Sequence, residues 1–83
     1  MSIPNEIKLI RQQAFMTQEE FAKQIGVAFS TVNRWESGRI HPNITAMKKI
    51  KMFCDSQGIS FDELQKTWLN ETKETDSKEN DHE

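Results

Sequence analysis

The sequence predicts a small all-α domain of five helices, and three observations support this fold class. The 83 residues contain no Tyr, three Gly and two Pro, so few positions disfavour a helix. Apolar residues recur at spacings of three and four along most of the chain. Cap residues and glycines separate these amphipathic windows. A chain of this length forms one domain with a modest core.

The first predicted helix covers residues 4–13, and Pro4 suits its first turn. Arg11 lies beside the apolar stripe of this helix. The stripe follows the spacing i, i+4, i+7 and i+11 through Ile3, Ile7, Ile10 and Ala14. The connection Phe15-Met16 leads into the second helix, and we expect Met16 to pack in the core.

The second helix is predicted by a capping box, in which the side chains of Thr17 and Glu20 each accept from the other's backbone N–H. Gly26 ends it, because a left-handed residue at a helix end costs glycine little. The inner face of this helix carries Phe21, Ala22 and Ile25.

The third helix is predicted over residues 29–36, with Val32 and Trp35 pointing inward. Its other face carries Phe29, Ser30, Asn33 and Arg34. Two short helices joined by a glycine turn form a unit that DNA-binding proteins use. The second and third helices therefore make DNA binding the first functional hypothesis.

The fourth helix is predicted over residues 44–56, between the cap residue Asn43 and Gly58. We expect its inner stripe to contain Ile44, Met47, Ile50 and Cys54. The run from Ser60 to Glu63 predicts a second capping box. A fifth helix then extends to about Leu69, and Leu64 completes the core.

The stretch of residues 17–38 resembles the phage repressor/Cro type of helix-turn-helix, the XRE family. The matching runs are TQEEFA at 17–22, Gly26-Val27, and STVNRWESG at 30–38. The resemblance extends over about residues 7–64. It implies a compact lambda-repressor-like domain in which the second and third helices form the helix-turn-helix and the third enters the major groove.

On the exposed face of the third helix, the expected DNA base contacts are Phe29, Ser30, Asn33 and Arg34. The Arg34 guanidinium matches the O6 and N7 atoms of guanine, whereas Asn33 suits adenine. Phe29 has no polar side-chain atom, so its natural contact is a thymine methyl group. Partial packing against the core or a hydrophobic staple remains the alternative for Phe29, and solvent exposure or a phosphate contact is the alternative for Asn33.

The residues expected at DNA phosphates are Thr17, Gln18, Ser37 and Arg39. Gln18 stands where the orphan N–H groups of a helix start favour an anion. Its alternative is an ordinary exposed first-turn residue. The resemblance also implies a mostly buried ion pair between Arg11 and Glu36, and two solvated surface charges are the alternative.

The sequence departs from the family at two positions. Phe15 stands where the family commonly has glycine, so we expect the turn between the first two helices to be reshaped. Ala28 stands where the family usually has a serine or threonine cap. Alanine offers no capping oxygen, so the third helix begins with less support.

Charge divides the chain into a body and a tail. The net charge is −2, but residues 71–83 contain six acidic and two basic residues, which leaves residues 1–70 at +2. We therefore predict a DNA-binding domain over 1–69 and a disordered acidic tail over 70–83. Trp68 and Leu69 are expected to form part of a homodimer interface, with core packing as the alternative.

The sequence as a whole indicates a sequence-specific DNA-binding transcriptional regulator, in particular a repressor that binds a palindromic operator as a homodimer. An antitoxin or an adaptor with a protein partner is the alternative. The chain shows no nucleophile with a base, no cofactor motif and no metal-ligand spacing, so we expect neither an enzyme nor a metal protein. It shows no signal peptide or membrane-spanning run, and we expect a cytoplasmic protein.

Overall fold

The computed structural model describes residues 2–71, and in this range the chain forms five helices and no strand. The helices are α1 Ile3–Gln13, α2 Gln18–Ile25, α3 Phe29–Glu36, α4 Ile44–Gln57 and α5 Asp62–Glu71. The all-α fold class is confirmed. None of the helices described is both long enough and apolar enough to cross a membrane.

Cap residues set both ends of α2 and of α4 as the sequence predicts. The Thr17 hydroxyl accepts from the Glu20 N–H at 3.1 Å, and the Glu20 carboxylate accepts from the Thr17 N–H at 2.9 Å. Gly26 and Gly58 close α2 and α4 in the left-handed region, with φ values of 75° and 69°. The Asn43 side chain accepts from the Ala46 N–H at 2.9 Å and caps α4.

The core forms where α1 packs against α3 and α5, while α2 packs against α3 and α4. The rings of Phe21 and Phe53 meet edge to face, with centroids 5.1 Å apart. Cys54 is fully buried, and burial raises the pKa of its thiol to about 11. The thiol is therefore a protonated core group.

The turn between α1 and α2 corrects one expectation. Phe15 keeps a positive φ of 58° and is 94% exposed, so the turn is not reshaped to suit a bulky residue. The flanking bonds explain why. The Phe15 N–H donates to the Gln12 carbonyl and the Met16 N–H to the Arg11 carbonyl, which fixes the path of the chain. Met16 packs against the core, as expected.

The inner face of α4 differs from the predicted stripe. Ile44 is 63% exposed, whereas Met47, Ile50 and Cys54 are buried. The buried face also includes Ala46 and Phe53, and Ala46 starts a repeat at i, i+4 and i+7. Ile44 is the first helical residue and lies about 200° around the helix from Ala46, so it falls outside this stripe.

The start and end of α5 also differ from expectation. The Ser60 hydroxyl accepts from the Asp62 N–H at 3.3 Å, and α5 begins at Asp62, so the predicted capping box with Glu63 is wrong. Helix α5 continues through Glu71 and includes the first two residues of the predicted tail. Residues 72–83 of that tail lie outside the described part of the chain.

Candidate nucleic-acid interface

Helix α3 is anchored by one face and exposed on the other. Val32 and Trp35 are buried at 0% and 2% exposure. Four side chains on the opposite face, those of Phe29, Ser30, Asn33 and Arg34, are exposed. Phe29 is 52% exposed, so it is not a core residue. These positions form one accessible surface along the full length of α3.

A partly buried ion pair joins α1 to the end of α3. The Arg11 Nε and Nη2 atoms donate to the two carboxylate oxygens of Glu36 at 2.7 and 2.8 Å. The Arg11 and Glu36 side chains are only 13% and 6% exposed. These hydrogen bonds raise the pKa of Arg11 above its ordinary value. A third bond, from Nη1 to the Met16 carbonyl at 2.9 Å, ties the turn before α2 to the same pair.

Gln18, the first residue of α2, connects this ion pair to the exposed face of α3. Its Nε2 donates to Glu36 Oε1 at 3.1 Å, and its Oε1 accepts from Asn33 Nδ2 at 3.1 Å. The start of α2 therefore lies beside the middle and end of α3. The sequence does not reveal these two bonds, because helical spacing relates residues within one helix and predicts no contact between residues 15 and 18 positions apart.

The other residues expected at phosphates lie at the start of α2 or follow α3. The Thr17 hydroxyl is occupied as the α2 cap. Ser37 donates from its hydroxyl to the Arg34 carbonyl at 3.2 Å, and Arg39 is exposed in the following loop. Thr17 and Gln18 thus lie at one end of the helix-turn-helix, and Ser37 and Arg39 follow α3.

The start of α3 has no side-chain cap. Ala28 has extended backbone angles and makes no capping bond through its side chain, as the sequence predicts. The Thr31 N–H donates to the Ala28 carbonyl at 3.0 Å. On α4, Lys49 Nζ donates to the Gly26 carbonyl at 3.3 Å and so supports the turn that precedes α3.

A second surface lies between α4 and α5. Of the two residues expected at a homodimer interface, Leu69 is 47% exposed, whereas Trp68 is 8% exposed and packs in the core, the alternative given for it. The indole Nε1 donates to the Pro42 carbonyl at 2.7 Å. A shallow groove of about 200 Å³ opens beside Leu69, and its apolar lining includes Ile44, Met47, Phe61 and Trp68.

Comparison with known proteins places the same stretch in a known family. A family model described as helix-turn-helix matches residues 7–64. The chain is 31% identical over 64 residues to the HTH-type transcriptional activator BcrR of Enterococcus faecalis, an alignment covering 77% of this chain and 30% of the activator.

Two antitoxins are also similar. The chain is 38% identical over 65 residues to antitoxin HipB of Escherichia coli O6:H1 and of Escherichia coli K12. These alignments cover 70% of this chain and 69% and 74% of the two antitoxins. The chain thus spans less than a third of the activator but most of each antitoxin. No solved structure gives a significant match.

Proposed function

Because the chain belongs to the helix-turn-helix family, of the XRE type that its sequence resembles, we propose that it is a sequence-specific transcriptional regulator that inserts α3 into the major groove of DNA. The observation that carries this proposal is the two-sided character of α3. Val32 and Trp35 fix its inner face, and a row of side chains that suit base edges lies exposed on the other.

Each side chain of that row has a chemical role in the proposal. The planar fork of Arg34 donates two hydrogen bonds to guanine O6 and N7. Ser30 and Asn33 hydrogen-bond base edges, and Phe29 contacts a thymine methyl group. Exposure of all four side chains supports these roles, since a buried residue could not reach a groove.

Phosphate contacts from the start of α2 and from the residues after α3 would fix the position of α3 in the groove. Thr17 and Gln18 stand at the start of α2, where the positive end of the helix favours an anion, although the capping box occupies the N–H groups of Thr17 and Glu20. Ser37 and Arg39 follow α3. Contacts of this kind set register and orientation, whereas base contacts specify sequence.

The proposal includes a homodimer on a palindromic operator, with two copies of α3 about 34 Å apart on one face of the DNA. Leu69 and the groove beside it form the proposed dimer interface, to which Trp68 contributes one wall from the core. An exposed leucine next to an apolar groove supports self-association. Bound across a promoter, such a dimer would repress by occlusion.

Selection from a random duplex library at about physiological salt tests this function. Wild type should enrich a palindromic site, and Arg34→Ala should relax one guanine position in each half-site. Lys66→Ala, which removes an exposed cation from α5, is the matched control and should leave the enriched site unchanged. Binding without sequence preference by wild type would contradict the proposal.

The antitoxin relatives favour a second candidate, in which the chain also neutralises a toxin through a protein contact. The groove between α4 and α5 would then hold the toxin instead of a second copy. Co-expression with the product of the adjacent gene tests this candidate. Growth arrest by that product alone, relieved by wild type but not by Leu69→Glu, would support it, and absence of arrest would contradict it.

A further inference from the structure

Four side chains form one continuous run of hydrogen bonds from the protein interior to the exposed face of α3. Arg11 donates to Glu36 at 2.7 and 2.8 Å, Gln18 donates to Glu36 at 3.1 Å, and Asn33 donates to Gln18 at 3.1 Å. Three helices contribute to this run, and only its last member lies fully on the surface. Glu36 is 6% exposed and therefore cannot itself reach a base.

The direction of every bond in the run follows from the chemistry of Glu36. A carboxylate that pairs with an arginine only accepts hydrogen bonds, and Glu36 accepts two from Arg11. Gln18 must therefore turn its NH₂ group toward Glu36, which turns its oxygen toward Asn33. Asn33 in turn must donate through Nδ2, so its Oδ1 is directed away from Gln18.

We propose that Glu36, acting through Gln18, sets Asn33 to read a base that carries an exocyclic amine in the major groove. Adenine presents its N6 amine there and cytosine its N4 amine, whereas guanine and thymine present only acceptors at the corresponding positions. The Asn33 oxygen accepts from such an amine. With adenine, the second N–H of the Asn33 amide is available for N7. This inference rests on the proposed function.

The run makes the opposite orientation of Asn33 costly. An asparagine alone on a surface turns its amide freely, and either end can meet a base. Here a turned Asn33 places its oxygen against the oxygen of Gln18. Turning Gln18 as well would place an oxygen against the carboxylate of Glu36 in a partly buried site. Glu36 and Gln18 are thus positioning residues for base recognition.

Four proteins in the same library selection test the inference: wild type, Asn33→Ala, Gln18→Ala and the double variant. Asn33→Ala identifies the base position that Asn33 reads. At that position wild type should prefer adenine or cytosine by about fivefold or more, the lower range of a base-edge contact. Gln18→Ala should reduce this preference to about twofold or less while other positions keep theirs. Adding Gln18→Ala to Asn33→Ala should change nothing further at that position.

Gln24→Ala is the matched control, since Gln24 is an exposed glutamine near the other end of α2. A guanine or thymine preference at the Asn33 position, no position affected by Asn33→Ala, or an unchanged preference in Gln18→Ala would overturn the inference and leave the proposed function standing. Absence of any enriched site with wild type would overturn the proposed function and this inference together.

Nuclear magnetic resonance of the free protein tests the run without DNA. One Asn33 Nδ2 proton in wild type should resonate downfield as a hydrogen-bonded amide proton. Gln18→Ala should move it upfield, and Gln24→Ala should not. Similar backbone spectra of the two variants establish that both fold. An Asn33 signal that Gln18→Ala leaves in place would show that Gln18 does not hold this side chain.

Discussion

The α2–α3 unit and the α4–α5 segment are held to the rest of the domain by different forces. The α2–α3 unit combines two buried side chains of α3 with a directed polar run through Arg11, Glu36 and Gln18. The α4–α5 segment relies mainly on apolar packing, supplemented by the bonds from Trp68 to the Pro42 carbonyl and from Lys49 to the Gly26 carbonyl. Hydrogen bonds depend on direction as well as distance, whereas apolar burial depends mainly on area.

The polar bonds orient the side chains of the candidate site, whereas the apolar packing mainly stabilises the fold. A series of hydrogen bonds with fixed donors and acceptors determines which atom of an exposed side chain faces solvent. Base recognition requires this control of orientation. Apolar packing tolerates small shifts and does not depend on direction in this way, and Ile44 and Leu69 of the α4–α5 segment are exposed. We therefore expect changes in the polar unit to affect specificity as well as stability, and changes in α4–α5 to affect stability and association.

Removing one end of the ion pair should have the largest effect. Arg11→Met leaves the Glu36 carboxylate 6% exposed and without its arginine, which should lower the free energy of unfolding by about 3–5 kcal/mol. Urea denaturation followed by circular dichroism measures this loss. Replacing both partners, as in Arg11→Met with Glu36→Leu, should cost much less, because no buried charge remains.

The exposed pair of Lys51 and Asp55, 3.0 Å apart, is the matched control for the ion pair. Lys51→Ala should change the free energy of unfolding by about 0.5 kcal/mol or less. If Arg11→Met costs no more than Lys51→Ala, the polar run does not anchor the α2–α3 unit, and the contrast between the two regions is wrong.

Trp68→Phe tests the directed bond of the α4–α5 segment. Phenylalanine keeps most of the apolar contact but leaves the buried Pro42 carbonyl without its donor, so the free energy of unfolding should fall by about 1–3 kcal/mol. Met52→Ala, at a residue 71% exposed on α4, is the control and should have little effect. Equal unfolding midpoints for the two variants would show that packing alone holds this segment.

The same contrast explains which parts of the fold the sequence predicts correctly. The predicted bounds of α3 are correct. Helix α2 begins and ends at its predicted caps, because Thr17, Glu20 and Gly26 bond to residues close to them in the chain.

The predicted burial of Ile44 is wrong because Ile44 lies about 200° around α4 from Ala46, outside the buried stripe. Trp68 packs in the core and bonds to Pro42, a contact distant in the chain that spacing within α5 does not reveal. Apolar periodicity identifies one face of a helix, but it does not show which residues of that face other parts of the chain cover.

In the candidate site too, features set within one helix are predictable from the sequence and contacts between helices are not. Exposure of the α3 face is predictable from Val32 and Trp35, which determine the opposite face of one short helix. The family resemblance supplies the contact between Arg11 and Glu36 that the structure contains. The contact between Gln18 and Asn33 depends on how α2 crosses α3, so neither propensity nor spacing within one helix could identify it.

Phe15→Gly should stabilise the turn that leads into the α2–α3 unit. Glycine accepts the positive φ of 58° at low cost, and a side chain that is 94% exposed loses little packing. We expect the free energy of unfolding to rise by about 1 kcal/mol in urea denaturation. Phe15→Ala retains the Cβ atom, so its free energy of unfolding should not rise. An equal rise for the alanine variant would show that removal of the exposed ring, and not relief of the backbone, causes the effect.

The smallest expected change is at the start of α3, where the α2–α3 unit lacks a side-chain cap. Ala28→Ser supplies an oxygen that can accept from the Ser30 or Thr31 N–H, and the extended backbone of residue 28 already suits a cap. The free energy of unfolding should rise by about 0.5–1 kcal/mol, whereas Ala28→Val, which adds volume without an acceptor, should give no gain. Since the polar run through Gln18 and Asn33 is unchanged in Ala28→Ser, the enriched DNA site should stay the same. A changed site would mean that the start of α3, and not the polar run alone, controls how α3 presents its side chains.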